Sequence, residues 1–152
     1  MEPRKHIGQL LWMPYRAHLL RLHDALAAAG YPDIQPAHGN NLFRHLRREG
    51  SRVTDIAEQA QLTKQYIGNL VDYLEERGYV ERVPDPHDGR AKLVRLTSKG
   101  QQLERTAEET IQRLETELAA RLGAQKMAML RQLLEDLDSA LEQERTVTTD
   151  AM

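Results

Sequence analysis

The sequence predicts a mainly α-helical chain with one small β-wing, on three observations. Residues 53–78 read as a short helix, a tight turn and a longer helix, and residues 79–97 read as a basic hairpin. From residue 101 onward, apolar side chains recur at helical spacing over two long stretches. In that order the elements make a winged helix-turn-helix flanked by N- and C-terminal helices suited to dimerisation. With 152 residues, one domain spanning 1–152 is expected. Residues 36–100 form its winged part, 1–30 and 101–145 its helical dimerisation part, and 146–152 a frayed tail without apolar period.

Tyr15, Leu19, Leu22 and Leu26 mark a first amphipathic helix, which Pro14 either starts or kinks. Gly30 to Asp33 make a turn, and Pro36 suits the first position of a second helix that includes Leu42, Phe43 and Leu46 and ends near Gly50. Thr54 is placed as the cap of a two-turn helix with Ile56, Ala57 and Ala60 on its apolar face. Gln61 and Leu62 form the turn, with Leu62 tucked between the helices. Thr63 caps the next helix, whose Ile67, Leu70, Val71 and Leu74 share one stripe. Gly78 ends it as a left-handed residue. Two short strands, 79–83 and 91–96, flank a stiff tip in which Asp88-Gly89 is the turn signal. Leu103, Ala107, Ile111, Leu114, Leu118 and Leu122 then form one stripe, and Met127, Leu130, Leu134, Leu137 and Leu141 a second, separated by Gly123. Two antiparallel helices with these stripes need a partner surface, and the simplest partner is a second copy of the chain.

The projecting parts suit the two grooves of double-stranded DNA. A helix N-terminus carrying Lys64 and Gln65 fits a major groove, where Gln pairs bidentately with adenine and Lys reaches guanine acceptors; Tyr66 and Asn69 lie within a turn of that end. The hydroxyls of Thr54 and Thr63, with the free N–H groups beside them, suit phosphate oxygens. Arg90, beside the wing turn and flanked by His87, Asp88 and Lys92, suits the narrow minor groove. The competing readings are an ordinary packed α+β domain with solvated polar residues, and a winged-helix module that binds protein without DNA.

The run Asp85-Pro86-His87-Asp88-Gly89-Arg90-Ala91-Lys92-Leu93-Val94-Arg95-Leu96-Thr97, with Gly100 after it, resembles the wing signature of the MarR family of winged helix-turn-helix regulators. Leu74 to Arg82 is similar to that family's junction between recognition helix and wing. The resemblance implies that Arg90 contacts the minor groove and that Asp88 helps hold the wing. It also implies an obligate homodimer on a pseudo-palindromic operator, commonly a repressor released by a small molecule.

Composition narrows the alternatives. The chain has no cysteine, which excludes disulfides, thiolate metal sites and cysteine-based oxidant sensing. No signal peptide or apolar run of transmembrane length is visible, so a cytoplasmic protein with no membrane partner is expected. Net charge is −2 overall, yet residues 44–100 carry 11 Lys/Arg against 9 Asp/Glu, while residues 101–152 carry 6 against 11. The basic excess sits where the motif needs it. Six histidines invite a metal reading, but the long helix after the wing, where some members of the resembled family hold zinc through a histidine pair, has none; no metal or other cofactor is expected. No phosphate loop, nucleophile elbow or metalloprotease element appears, so no catalytic residue is assigned. By the resemblance, an effector site lies between the dimerisation helices and the winged part. Trp12, Tyr15, His18 and His38 are the polar-aromatic residues nearest that junction and suit a small aromatic or anionic ligand. Packing in the core or dimer is the competing role of Trp12 and Tyr15.

Overall fold

The computed structural model describes residues 4–150, with side chains described as far as Gln143. Among the described residues six α-helices and two strands follow in order: α1 (Ile7–Ala28), α2 (Pro36–Asn41), α3 (Val53–Ala60), α4 (Lys64–Glu76), β1 (Val80–Asp85), β2 (Asp88–Leu96), α5 (Ser98–Leu122) and α6 (Ala124–Asp150). The chain divides into two compact units, residues 1–110 and 111–152.

In the first unit, Ile56 and Ala57 of α3 and Ile67, Val71 and Leu74 of α4 are buried together with Leu26, Ile34, Leu42 and the wing residues Tyr79, Val80 and Val94. Their spacing on α4 places one face in the core and leaves Lys64, Gln65, Tyr66 and Asn69 outside. His6 caps α1, accepting from the Gln9 N–H at 3.3 Å, so Pro14 lies inside the helix rather than at its start. Pro36 opens α2 as expected, but that helix stops at Asn41. A 3-10 turn, Phe43–His45, replaces its expected second half, so Leu46 lies outside any helix.

Gly78, at φ +79°, closes α4 as the spacing predicts: the Tyr79 N–H reaches the Leu74 carbonyl at 2.9 Å and the Gly78 N–H reaches the Glu75 carbonyl at 3.0 Å. Directly after it, Thr97 fastens the far end of β2 to the start of β1. Its hydroxyl donates to the Gly78 carbonyl and accepts from the Gly100 N–H at 3.1 Å, and its own N–H donates to the Tyr79 carbonyl at 3.1 Å.

In the second unit Gly123 interrupts the helix, and Arg131 of α6 pairs with Glu115 of α5 at 3.0 Å, eight residues on either side of that glycine. The pairing fits the turn-back that the two stripes imply. The helix runs on to Asp150, so most of the expected tail is helical; Ala151 and Met152 lie outside the described residues. Met129, Leu130, Leu133, Leu134 and Leu141 on α6 are exposed in the single chain, as are Ile7, Leu10, Leu11, Trp12 and Met13 on α1.

Gly100 belongs to the Thr97 junction because a Cβ there would overlap the Tyr79 carbonyl oxygen and press on Leu96. The Tyr79 carbonyl is fixed by the hydrogen bonds just described. Gly100→Ala should therefore cost about 3 kcal/mol or more, because the closest contact is with a fixed backbone carbonyl that cannot move aside. Urea unfolding of the variant against the parent chain measures this directly.

Candidate nucleic-acid interface

Gln61 adopts the left-handed conformation (φ 56°, ψ 40°) and ends α3, while the Leu62 N–H returns to the Ala57 carbonyl at 2.9 Å. A non-glycine residue in this region costs roughly 1 kcal/mol, which the surrounding packing must hold. Leu62 is 37% exposed rather than tucked between the helices. The tight reversal turns its side chain outward and leaves the inter-helix angle to Ile56, Ala57 and Ile67.

Thr63 caps α4, its hydroxyl accepting from the Tyr66 N–H at 3.1 Å. The next turn carries the expected side chains in order. Lys64 is exposed, and Gln65 donates through Nε2 to Asn69 Oδ1 at 3.0 Å, which fixes the two amides relative to each other. Gln65 keeps its carbonyl oxygen and one N–H for the bidentate pattern that adenine presents. Tyr66 is 39% exposed, and its hydroxyl accepts from Asn41 Nδ2 at 3.3 Å, tying the helix entrance to α2. Thr54 departs from its expected role. Arg52 is the residue preceding α3, and Thr54 sits in the first turn, exposed and beside a crevice also lined by Arg52, Arg82 and Lys92.

The wing differs in detail from the sequence expectation. The reversal falls at Pro86-His87, with Asp85 opposite Asp88, and Gly89 lies in β2 without a positive φ. The register jumps from Pro84↔Lys92 to Asp85↔Asp88, so Gly89, Arg90 and Ala91 have no partner on β1 and stand out as a bulge. Glycine serves that bulge instead of the turn. Asp88 accepts from the Arg90 N–H at 3.0 Å, which shapes the bulge. His87 and Lys92 are exposed, as is the Arg90 side chain, which has no hydrogen-bond or ion-pair partner among the described residues.

Two guanidinium clamps missed by sequence reasoning hold this wing. Asp85, 7% exposed, accepts from Arg52 Nε at 2.9 Å, from Arg52 Nη2 and from the His87 N–H at 2.9 Å. The His87 N–H first, then the Arg52 guanidinium, keeps its carboxyl below the usual carboxylate range. Arg52 also lies 3.8 Å from Asp88, so the expected holding role falls chiefly on Asp85 and only secondarily on Asp88. Arg82 of β1 meets Asp72 at 2.8 Å and Glu75 at 2.7 Å, joining the wing to the solvent side of α4. The residue types were visible in the sequence; that positions 33 residues apart meet was not.

The four effector candidates have distinct surroundings. Trp12 and Tyr15 are ring neighbours on α1, 6.3 Å apart and tilted, and the Tyr15 hydroxyl accepts from Asn40 Nδ2 of α2 at 3.1 Å. Nδ1 of His18 is out of contact with water and has no hydrogen-bond partner among the described residues. His38 is buried: its Nδ1 accepts from the Gln35 N–H at 2.9 Å, and its ring stacks on Tyr73 of α4 with centroids 4.9 Å apart. An Nδ1 that accepts this hydrogen bond places the ring proton on Nε2, and burial pushes the pKa below the ordinary histidine value.

A helix with an ordered polar N-terminus, beside a wing with a free arginine at its tip, defines a winged helix-turn-helix of the nucleic-acid-reading type. Comparison with known proteins agrees. A sequence profile of the MarR family matches residues 41–91. The chain is 33% identical over 125 residues to the HTH-type transcriptional regulator FarR of Neisseria gonorrhoeae, covering 78% of this chain and 85% of that protein. It is similar to the HTH-type transcriptional repressor Rv2887 of Mycobacterium tuberculosis, 29% identical over 90 residues, or 59% of this chain and 65% of that one. The match to PrsX of Escherichia coli is 40% identical over 47 residues and spans only 28% of that protein. Among solved structures, apo MarR from E. coli superposes with a TM-score of 0.69 at 25% identity, covering 89% of this chain and 98% of that one. PcaV from Streptomyces coelicolor, in complex with its natural ligand, superposes at 0.66 with 25% identity, covering 93% and 99%. The chain belongs to the MarR family of winged helix-turn-helix transcriptional regulators.

Removing the Asp85 charge should loosen the wing. Asp85→Asn is expected to lower the thermal midpoint by several degrees at neutral pH. A carboxyl whose folded pKa is depressed contributes stability above its unfolded value, near 4, and loses it as pH falls through the folded one. The gap between parent and variant should therefore narrow on acidification below that value, as thermal melts across an acidic pH series would record.

Proposed function

We infer that the chain is a homodimeric, sequence-specific DNA-binding regulator that reads a pseudo-palindromic operator and represses until a small-molecule effector releases it. The observation that carries this reading is the free Arg90 at the tip of a clamped wing, on the same unit as the ordered Gln65–Asn69 pair. A cation held outward without a partner has a use when an anion arrives from outside. In this reading the start of α4 enters the major groove with Lys64, Gln65, Tyr66 and Asn69. The wing carries Arg90 to the minor groove, and Thr54, Thr63, His87 and Lys92 lie along the backbone.

Dimerisation is supported by the exposed apolar side chains of α1 and α6, which a soluble monomer would rarely leave in water in such number. Release by an effector is supported by the unpaired His18 Nδ1 beside the aromatic Trp12–Tyr15 pair on α1. A ligand with a planar apolar body and an acidic group offers that nitrogen a partner. Rv2887 is named a repressor and PcaV was solved with its natural ligand, and both descriptions are consistent with the reading.

Selection from random duplexes tests it. A two-fold motif with half-sites about 10 bp apart is expected; recovery of no motif, with binding to protein alone, would establish the protein-interaction module instead. Two variants separate the contacts on the selected site. Gln65→Ala should cost roughly 1–3 kcal/mol and relax preference at one base pair per half-site. Arg90→Ala should weaken selected and random duplexes together and make the salt dependence shallower by up to about two units of slope per dimer. Thermal stability should change little, because Arg90 has no ion pair among the described residues to lose. Fluorescence anisotropy across a salt series reads both, and equal loss on all sequences for Gln65→Ala would misplace the helix.

A further inference from the structure

At the root of the wing, away from the Arg90 tip, the first unit carries an open cavity of about 790 Å3. It lies where the segment after the 3-10 turn meets the end of β2 and the first turns of α5. Arg47, Arg48 and Arg105 line it, and none of the three guanidiniums has a hydrogen-bond or ion-pair partner among the described residues. A fourth, Arg95, is held by Glu81 at 2.8 Å across the strands and forms a fixed wall. Four cations against Glu81 and Glu104 leave the lining at +2, in a chain whose net charge is −2. Leu46 and Leu96 supply an apolar patch, and Gln101 and Glu104 supply acceptors.

We propose that this cavity binds a phosphomonoester, a phosphate dianion on a small hydroxylated body. Unpaired guanidiniums gathered in one cavity repel each other, and a dianion matches their excess charge. Guanidinium forks fit phosphate oxygens two at a time, whereas a carboxylate satisfies one fork and leaves the rest unmatched. Hydroxyls on the body donate to Glu104 and Gln101, and its carbon skeleton lies on Leu46 and Leu96. The volume falls within the range of small-molecule sites. The site is separate from the operator-reading side chains, because Arg95 and Arg90 stand at opposite ends of β2. It does not depend on the DNA reading.

Titration calorimetry of the full chain tests it with glycerol 3-phosphate as probe, and glycerol and acetate as controls, at constant ionic strength held with chloride. Saturable binding of glycerol 3-phosphate is expected, with neither control binding. Arg48→Gln with Arg105→Gln should weaken it roughly ten- to a hundredfold with the unliganded melting temperature preserved. If that double variant does not fold, Arg47→Gln, on the segment between helices, should give the same direction of loss alone. Absence of saturable heat at millimolar probe, or acetate binding as tightly, overturns the proposal. Nucleic-acid phosphates are the other source of this chemistry. If the variants lose affinity for a random duplex while glycerol 3-phosphate binds unchanged, the cationic lining serves the DNA backbone and the proposal fails.

Discussion

Everything the wing presents depends on one buried carboxylate, Asp85, gripped by Arg52 from the start of α3. A two-stranded hairpin is marginal in water and has no core of its own. At its root Val80 and Val94 enter the domain core, and Ser51 pairs with Val94 through the 2.9 Å and 2.8 Å bonds of an isolated bridge. Beyond those residues the strands would be free to swing. Asp85 stops this at the last paired position before the reversal, and it also accepts the His87 N–H, so one side chain fixes both the hinge and the tip. A buried ion pair is a weak source of net stability, since desolvation offsets most of the attraction. Its effect here is geometric, because the bulge that projects Arg90 begins at the residue opposite Asp85.

Local pattern was legible in the sequence because it is governed by neighbours. The stripe on α4, the Thr63 cap, the Gly78 terminator and the proline at the start of α2 each rest on residues within a few positions, and each stands where its chemistry puts it. Errors arose where a competing contact lay elsewhere in the chain. Gly89 carried a turn signal, yet Pro86 with the Asp85 carboxylate claimed the reversal and moved glycine into the bulge. Thr54 has the chemistry of a cap, but Arg52 is drawn to Asp85 and stands at the cap, so α3 starts two residues earlier than a Thr54 cap would place it. The burial of His38 and its stack on Tyr73 were not legible either, because they arise only with α2 and α4 packed together.

The arrangement of charge explains how a protein of net charge −2 can suit a polyanion. Of the arginines between residues 44 and 100, Arg52, Arg77, Arg82 and Arg95 all face carboxylates within the chain. Arg77 also lies 3.4 Å over the Tyr73 ring, and Lys99 lies 4.2 Å over the Tyr79 ring. These cations are committed to rigidity and add little to long-range attraction. Those left without partners among the described residues are few and placed at edges: Lys64 at the start of α4, Arg90 and Lys92 on the wing, Arg44 in the 3-10 turn, and Arg47 and Arg48 after it. With so small a free charge, discrimination must come mainly from how well the few projecting groups are aimed. That requirement returns to the clamps. The arginines withdrawn from attraction at Asp85, Asp72 and Glu75 hold the wing that carries Arg90 in a fixed relation to the helix that carries Gln65, and so few projecting groups can discriminate only if that relation is fixed.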